Sequence, residues 1–246
     1  MNKIFTVMVF CALLCASCTA QISGSLKVDG QADLNIYAAL EPRMTALIGG
    51  LAAASGAVQP GAPILNSSAI AASMSSAPGI ASVALKNIAP AAIEGPIKVS
   101  RISDFLASGK TGNKAQGSRS FTFITFEQSK SSTGGKCTVN FNRNSGPEAL
   151  GLISPEIGDY LAALMAPLAT GEVLTKAEYL TLVGSVYGKG IADEISQAFV
   201  RAFIDFPGQV QSAKGGTFSG RRAEFAIPLL DILTLEKPLS YEVVWK

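Results

Sequence analysis

The chain contains no histidine. Its absence removes the usual general base near neutral pH and the commonest metal ligand. Ser-His-Asp and Cys-His catalysis, HExxH zinc sites and most transition-metal sites are excluded with it. What survives is carboxylate pairs, Ser-Lys dyads and oxygen-ligand calcium sites. Charge is also scarce. Charged residues make up 15% of the chain and the formal net charge is +2, which argues against nucleic acid, a partner usually met with a clearly basic surface. Of four cysteines, Cys11 and Cys15 lie in the N-terminal apolar run, leaving Cys18 and Cys137. If Cys18 is modified, Cys137 has no partner and stability must come from packing. Cys137 itself reads as a small buried residue on a strand.

What is present begins with an address. Lys3 is followed by an apolar run from Ile4 to Cys15 and then by Ala16-Ser17-Cys18. A short positive region, an apolar stretch too short to span a bilayer and small residues at a cleavage point make a secretory signal. A Cys directly after small residues matches a bacterial lipobox, in which the thiol is diacylated and becomes the mature N-terminus, although Cys15 stands where that motif prefers Leu. Cleavage after Ala20 is the rival reading, and a retained anchor is a third. The expected division is a signal over residues 1–17, a lipid-anchored linker over 18–24 and one domain over 25–246.

Charge divides the body into zones. Residues 98–143 hold eight cations (Lys98, Arg101, Lys110, Lys114, Arg119, Lys130, Lys136, Arg143) against Asp104 and Glu127. Residues 144–246 hold twelve acids against eight bases, and between Met44 and Ile93 the only charge is Lys86. That near-neutral stretch reads as buried helix, as the wall of an apolar cavity or as helices that dock on lipid. On a tethered protein the basic zone would add attraction to anionic headgroups, about 1 kcal/mol per cation.

Periodicity supplies the elements. Alternation from Ser25 to Tyr37 predicts a strand, with Gly30 as a bulge. Met44, Leu47, Ile48 and Leu51 recur at helical spacing after Pro42. Short helices are expected near Ile64–Met74 and Gly79–Ile88, a short strand at Ile97–Val99 and a helical turn over Ile102–Ala107. Ser120–Glu127 and Lys136–Arg143 read as a hairpin. Ser154-Pro155-Glu156 opens a helix running to Leu168, and Thr175-Lys176-Ala177-Glu178 is a capping box for another. Ile191 to Phe206 continues as a third apolar stripe. Strands at Gln209–Ala213, Thr217–Ala226 and Tyr241–Trp245, with a brief helix at Leu229–Leu233, close the chain. The expected fold is α+β: a single domain whose antiparallel sheet combines N-terminal, central-hairpin and C-terminal strands, flanked by amphipathic helices.

Motifs with chemistry are weak. Gly109-Lys110-Thr111 resembles the tail of a phosphate loop, but Asp104 stands where that loop needs Gly. Asn66-Ser67-Ser68 is a sequon that a bacterial export signal makes coincidental. Asp29, Asp33 and Asn35 share one strand face but lack the tight loop of a calcium site. No cofactor and no metal are expected, and no catalytic residue stands out.

The Cys18 signal, Phe206-Pro207-Gly208-Gln209-Val210, Gly215-Gly216-Thr217-Phe218-Ser219-Gly220 and Ile227-Pro228-Leu229-Leu230-Asp231-Ile232-Leu233 together resemble treponemal (spirochaete) lipoproteins. More narrowly, the plan is similar to outer-membrane-associated lipoproteins whose mixed α/β body carries amphipathic helices that insert into the inner leaflet. The resemblance implies a lipoprotein facing the periplasm that binds or perturbs lipid, with no active-site residues to transfer. The expectation is therefore a non-enzymatic envelope lipoprotein with membrane lipid as its partner. Cys18 would carry the lipid. Met44, Leu47, Ile48 and Leu51 would contact acyl chains, and Lys110, Lys114 and Arg119 would contact headgroups. The alternatives are a periplasmic lipid or glycolipid carrier with an internal apolar cavity, and a structural or adhesive envelope protein.

Overall fold

The N-terminal alternation makes a hairpin rather than one strand. In the computed structural model, which describes residues 18–55, 63–107, 123–129, 133–145 and 172–246, β1 spans Cys18–Leu26 and β2 spans Ala32–Ala39. Gly30, expected to mark a bulge, sits in the turn between them at φ 81°. There Lys27 N donates to Gln31 O at 2.8 Å. The linker expected over 18–24 is thus corrected: those residues are the first part of a paired strand, with Ala20, Ile22 and Gly24 opposite Ala38, Ile36 and Leu34.

Next come helices α1 (Pro42–Ser55) and α2 (Ser67–Ser75). Pro42 opens α1 where its missing N–H costs nothing. The next two amides, of Arg43 and Met44, donate to the Glu194 carboxylate at 3.0 and 2.9 Å. The residue satisfying that helix start therefore lies some 150 positions away, a cap no local pattern announces. Asn66, half of the sequon, caps α2 by accepting from Ala69 N. The helix expected over Gly79–Ile88 is instead two short strands, β3 (Ile80–Val83) and β4 (Lys86–Ala89), laid end to end along β5 (Ala92–Val99). Gly95 makes this possible, because a Cβ there would lie 2.1 Å from Ala84 O. Helix α3 (Ile102–Ala107) and the hairpin β6 (Ile124–Gln128) and β7 (Gly135–Phe141) fall where the sequence places them. The helix expected at 154–168 lies outside the described residues.

The capping box at Thr175 and Glu178 starts α4 (Lys176–Tyr187), and α5 follows over Lys189–Gln197. The third apolar stripe does not continue as helix: Phe199–Asp205 is strand β8. Strands β9 (Val210–Lys214), β10 (Thr217–Ser219) and β11 (Arg222–Pro228), helix α6 (Leu229–Thr234) and β12 (Leu239–Trp245) complete the chain.

The fold is mixed α+β, with a correction to the sheet. The strands form two sheets, not one. The larger runs β10-β11-β8-β1-β2-β5-β3, with β4 also on β5, and the smaller runs β6-β7-β12-β9. The first and last strands do not meet: β1 pairs parallel with β8, while β12 joins the central hairpin in the smaller sheet. The two sheets pack face to face around Leu26, Ala32, Ile97, Val99, Val210, Val243 and Trp245. A second core is helical, with Met44 and Ile48 of α1 against Tyr179, Val183, Ile191, Ile195, Leu230 and Leu233.

Candidate functional site

The register of the larger sheet determines which side chains share a face. Partners across a ladder point the same way and residues two apart along a strand do too. One cross-sheet row reads Ile93, Ala38, Ala20, Val200, Ile227; the next reads Gly95, Ile36, Ile22, Ala202, Phe225; a third reads Ile97, Leu34, Gly24, Ile204, Ala223. Across five strands this face carries no polar side chain. The opposite face carries Asp33, Asn35, Lys98, Arg201, Asp205, Arg222 and Glu224 at the alternate positions of the same strands.

Among the described residues, sheet and helices do not cover the apolar face uniformly. Its Leu26, Ala32, Val99 and Ala223 lie under the smaller sheet, in the shared core. At the other end Leu40 and Leu229, which follow β2 and β11, pack on the helical core. Between these, Ala20, Ile22, Ala38, Val200, Ala202 and Ile227 are half-buried, and neither core includes them. They form an apolar strip several strands wide, each strand adding about 4.8 Å.

The expected contact residues separate. Met44 and Ile48 are core, 7% and 5% exposed. Their assignment to lipid contact is corrected for this conformation: reaching a bilayer would require α1 to leave the core. Apolar spacing marked the buried face of that helix, as it does on most amphipathic helices. Leu47 is half-buried and lines an open cleft of about 460 Å³ with Arg43, Ala46, Tyr187, Gly190 and Ile191. Leu51 lies within α1, its side chain outside the described residues. Lys110, Lys114 and Arg119 are also outside them. Cys18 is the first residue of β1.

Of the four described cations of the basic zone, three have bonded partners. Lys136 pairs with Glu242 at 2.7 Å and Arg101 with Asp104 at 3.5 Å. Arg143 donates to the carbonyls of Thr234 and Leu235 at 3.2 Å each, closing the end of α6. Lys98 sits opposite Asp33 across the β2–β5 ladder. Asp33 in turn binds Lys27 at 2.7 Å, and that hydrogen bond holds its carboxyl below the usual range. Asp29 accepts from Gln31 N, so the acids once weighed for calcium serve the hairpin turn. Among the described residues no group of three or more His, Cys, Asp or Glu could hold a metal.

Cys137 lies in β7 opposite Val243 and packs against the two-sheet core. Burial pushes its thiol from 9.0 up to about 11, and the thiolate is the nucleophilic form. Two units mean about a hundredfold less thiolate near neutral pH than in the unfolded chain. A disulfide reagent should therefore modify native protein at least that much more slowly than protein in denaturant. Equal rates would place the thiol in solvent.

No protein-family model and no curated protein matches the chain. Among solved structures it is similar to the folded domain of the LppM protein of Mycobacterium tuberculosis, determined by NMR. The TM-score is 0.37 and the identity 10%, over 94% of this chain and 91% of that one. A likeness of that strength bears on neither ligand nor activity. No helix among the described residues is long and apolar enough to cross a membrane.

Proposed function

We propose that the chain is a non-enzymatic lipoprotein of the bacterial envelope, anchored through Cys18 to the outer membrane on its periplasmic side, that holds an acyl chain against the half-buried apolar strip of its larger sheet. The strip carries this reading. Ile22, Val200, Ala202 and Ile227 present a floor of small and branched side chains with no polar group. Such a floor suits a flexible hydrocarbon and offers nothing to orient a polar substrate. Each methylene it removes from water contributes about 0.8 kcal/mol. Insertion through α1 is the weaker form of lipid contact, since Met44 and Ile48 are engaged in the helical core.

Two experiments test the two halves. Cys18→Ala should abolish labelling by an alkyne fatty acid and release the protein into the soluble fraction; unchanged labelling, or a mature N-terminus at Gln21, would reject the anchor. Residues 18–246 produced without a signal should bind a fluorescent fatty acid saturably. Ile22→Gln, which places an amide in the strip, and Ala202→Phe, which fills it, should each weaken that binding at least about tenfold, a loss of about 1.4 kcal/mol. Their circular dichroism should stay native. If the unaltered domain does not bind the probe, the lipid reading fails and a structural role leads.

A further inference from the structure

The strand termini of the larger sheet are charged at one end and uncharged at the other, and the anchor leaves from the uncharged termini. We propose that this end of the sheet lies against the bilayer, so that the domain stands on its membrane in one fixed orientation. The inference rests on lipidation at Cys18 and adds the surface that meets the lipid. No linker intervenes, because Cys18 is itself the first paired residue of β1, beside Phe199 of β8. An acylated Cys18 therefore holds its neighbours within a side-chain length of the headgroups. Neighbouring strands lie only about 4.8 Å apart.

The strand termini at that end suit the placement. Ala38 and Ala39 close β2, Ala92 opens β5, Phe199 and Val200 open β8, and Ile227 and Pro228 close β11. None is charged. Beside them the end of β4 carries Ile88, 46% exposed, with exposed Ala89, and exposed Pro90 follows in the turn to β5. Arg43, exposed at the start of α1, supplies a cation at the same end, and the Glu194 carboxylate near it is taken up by two α1 amides. The far end holds Lys27, Asp29, Asp33, Lys98, Asp205 and Arg222, ions that belong in water. Nine residues of β1 separate the ends by about 26 Å, too far for both to touch one surface with the strands upright.

Mature acylated protein carrying Cys137→Ser tests this. A single label is placed at Ile88→Cys or Pro90→Cys, near the anchor, or at Asp29→Cys, far from it. The protein is reconstituted in vesicles of phosphatidylcholine and phosphatidylglycerol containing a headgroup nitroxide lipid. Labels at 88 and 90 should lose most of their fluorescence and the label at 29 should lose almost none. Equal quenching at the two ends, or quenching only at 29, overturns the orientation. The intact mass, measured first, separates the two claims. Protein without the acyl mass overturns the anchor and the orientation with it, whereas acylated protein quenched equally at both ends overturns the orientation alone.

Discussion

Trp245→Ala is expected to destabilise the domain by about 3–5 kcal/mol, the range for removing a large buried aromatic, and to lower Tm by about 6–20 °C. Trp245 is 1% exposed, one residue from the C-terminal Lys246. Its ring packs on Phe206 at 4.7 Å and on Phe126 at 5.8 Å between centroids. Those contacts join β12 and β6 of the smaller sheet to the segment after β8 of the larger one. Gly135 takes part by lacking a side chain, since a Cβ there would lie 2.3 Å from Trp245 Cζ2. The indole Nε1 has no hydrogen-bond partner among the described residues, so Trp245→Phe should cost less than Ala by keeping the ring without a buried donor. Differential scanning calorimetry of the three proteins measures the order. An Ala variant as stable as the parent would mean that the two sheets do not depend on this contact.

Gly24→Ala should be as damaging for a different reason. Gly24 lies in β1 at φ 155°, and a Cβ would meet Asp33 O at 2.1 Å and Leu34 Cα at 2.8 Å. Both atoms are backbone, so relief requires β1 and β2 to separate. Overpacking and the unfavourable φ together cost about 3 kcal/mol or more. β1 sits mid-sheet between β2 and β8, and amide hydrogen exchange should show Gln21 to Leu26 losing protection along with the paired residues of β2. Unchanged protection there would show that the strands accommodate a methyl.

The sequence made some of this legible and hid the rest for identifiable reasons. Local chemistry was readable: the Thr175–Glu178 box, the hairpin of β6 and β7 and the final strand β12 stand where their residues point, whereas Thr217–Ala226, expected as one strand, folds back on itself as the β10–β11 hairpin. Elements decided by distant partners were not. The run at 79–88 mixes β-branched Ile80, Val83 and Ile88 with Ala81, Ala84, Leu85 and Lys86, so local preference does not decide it and pairing with β5 makes it strand. The stripe from Ile191 to Phe206 satisfies helical spacing, yet after Gln197 its residues enter β8 because Ala202 finds Ile22 on one side and Phe225 on the other. The same long-range pairing turned the supposed linker into β1. The strip was hidden for that reason too, since its floor is assembled from four strands, of which only β1 and β2 are neighbours in the chain. Helical spacing did identify Met44 and Ile48 as one face, but spacing alone does not say whether a face meets core or lipid.

Whether the apolar strip holds lipid is tested most directly by native mass spectrometry of residues 18–246, purified from bacterial cytoplasm without the signal. Lipid binding at the strip predicts adducts at the masses of acyl lipids, lost on mild collisional activation and absent from folded Ala202→Phe. A bare polypeptide mass under the same conditions, in protein that also gains no adduct when mixed with fatty acid, would contradict it.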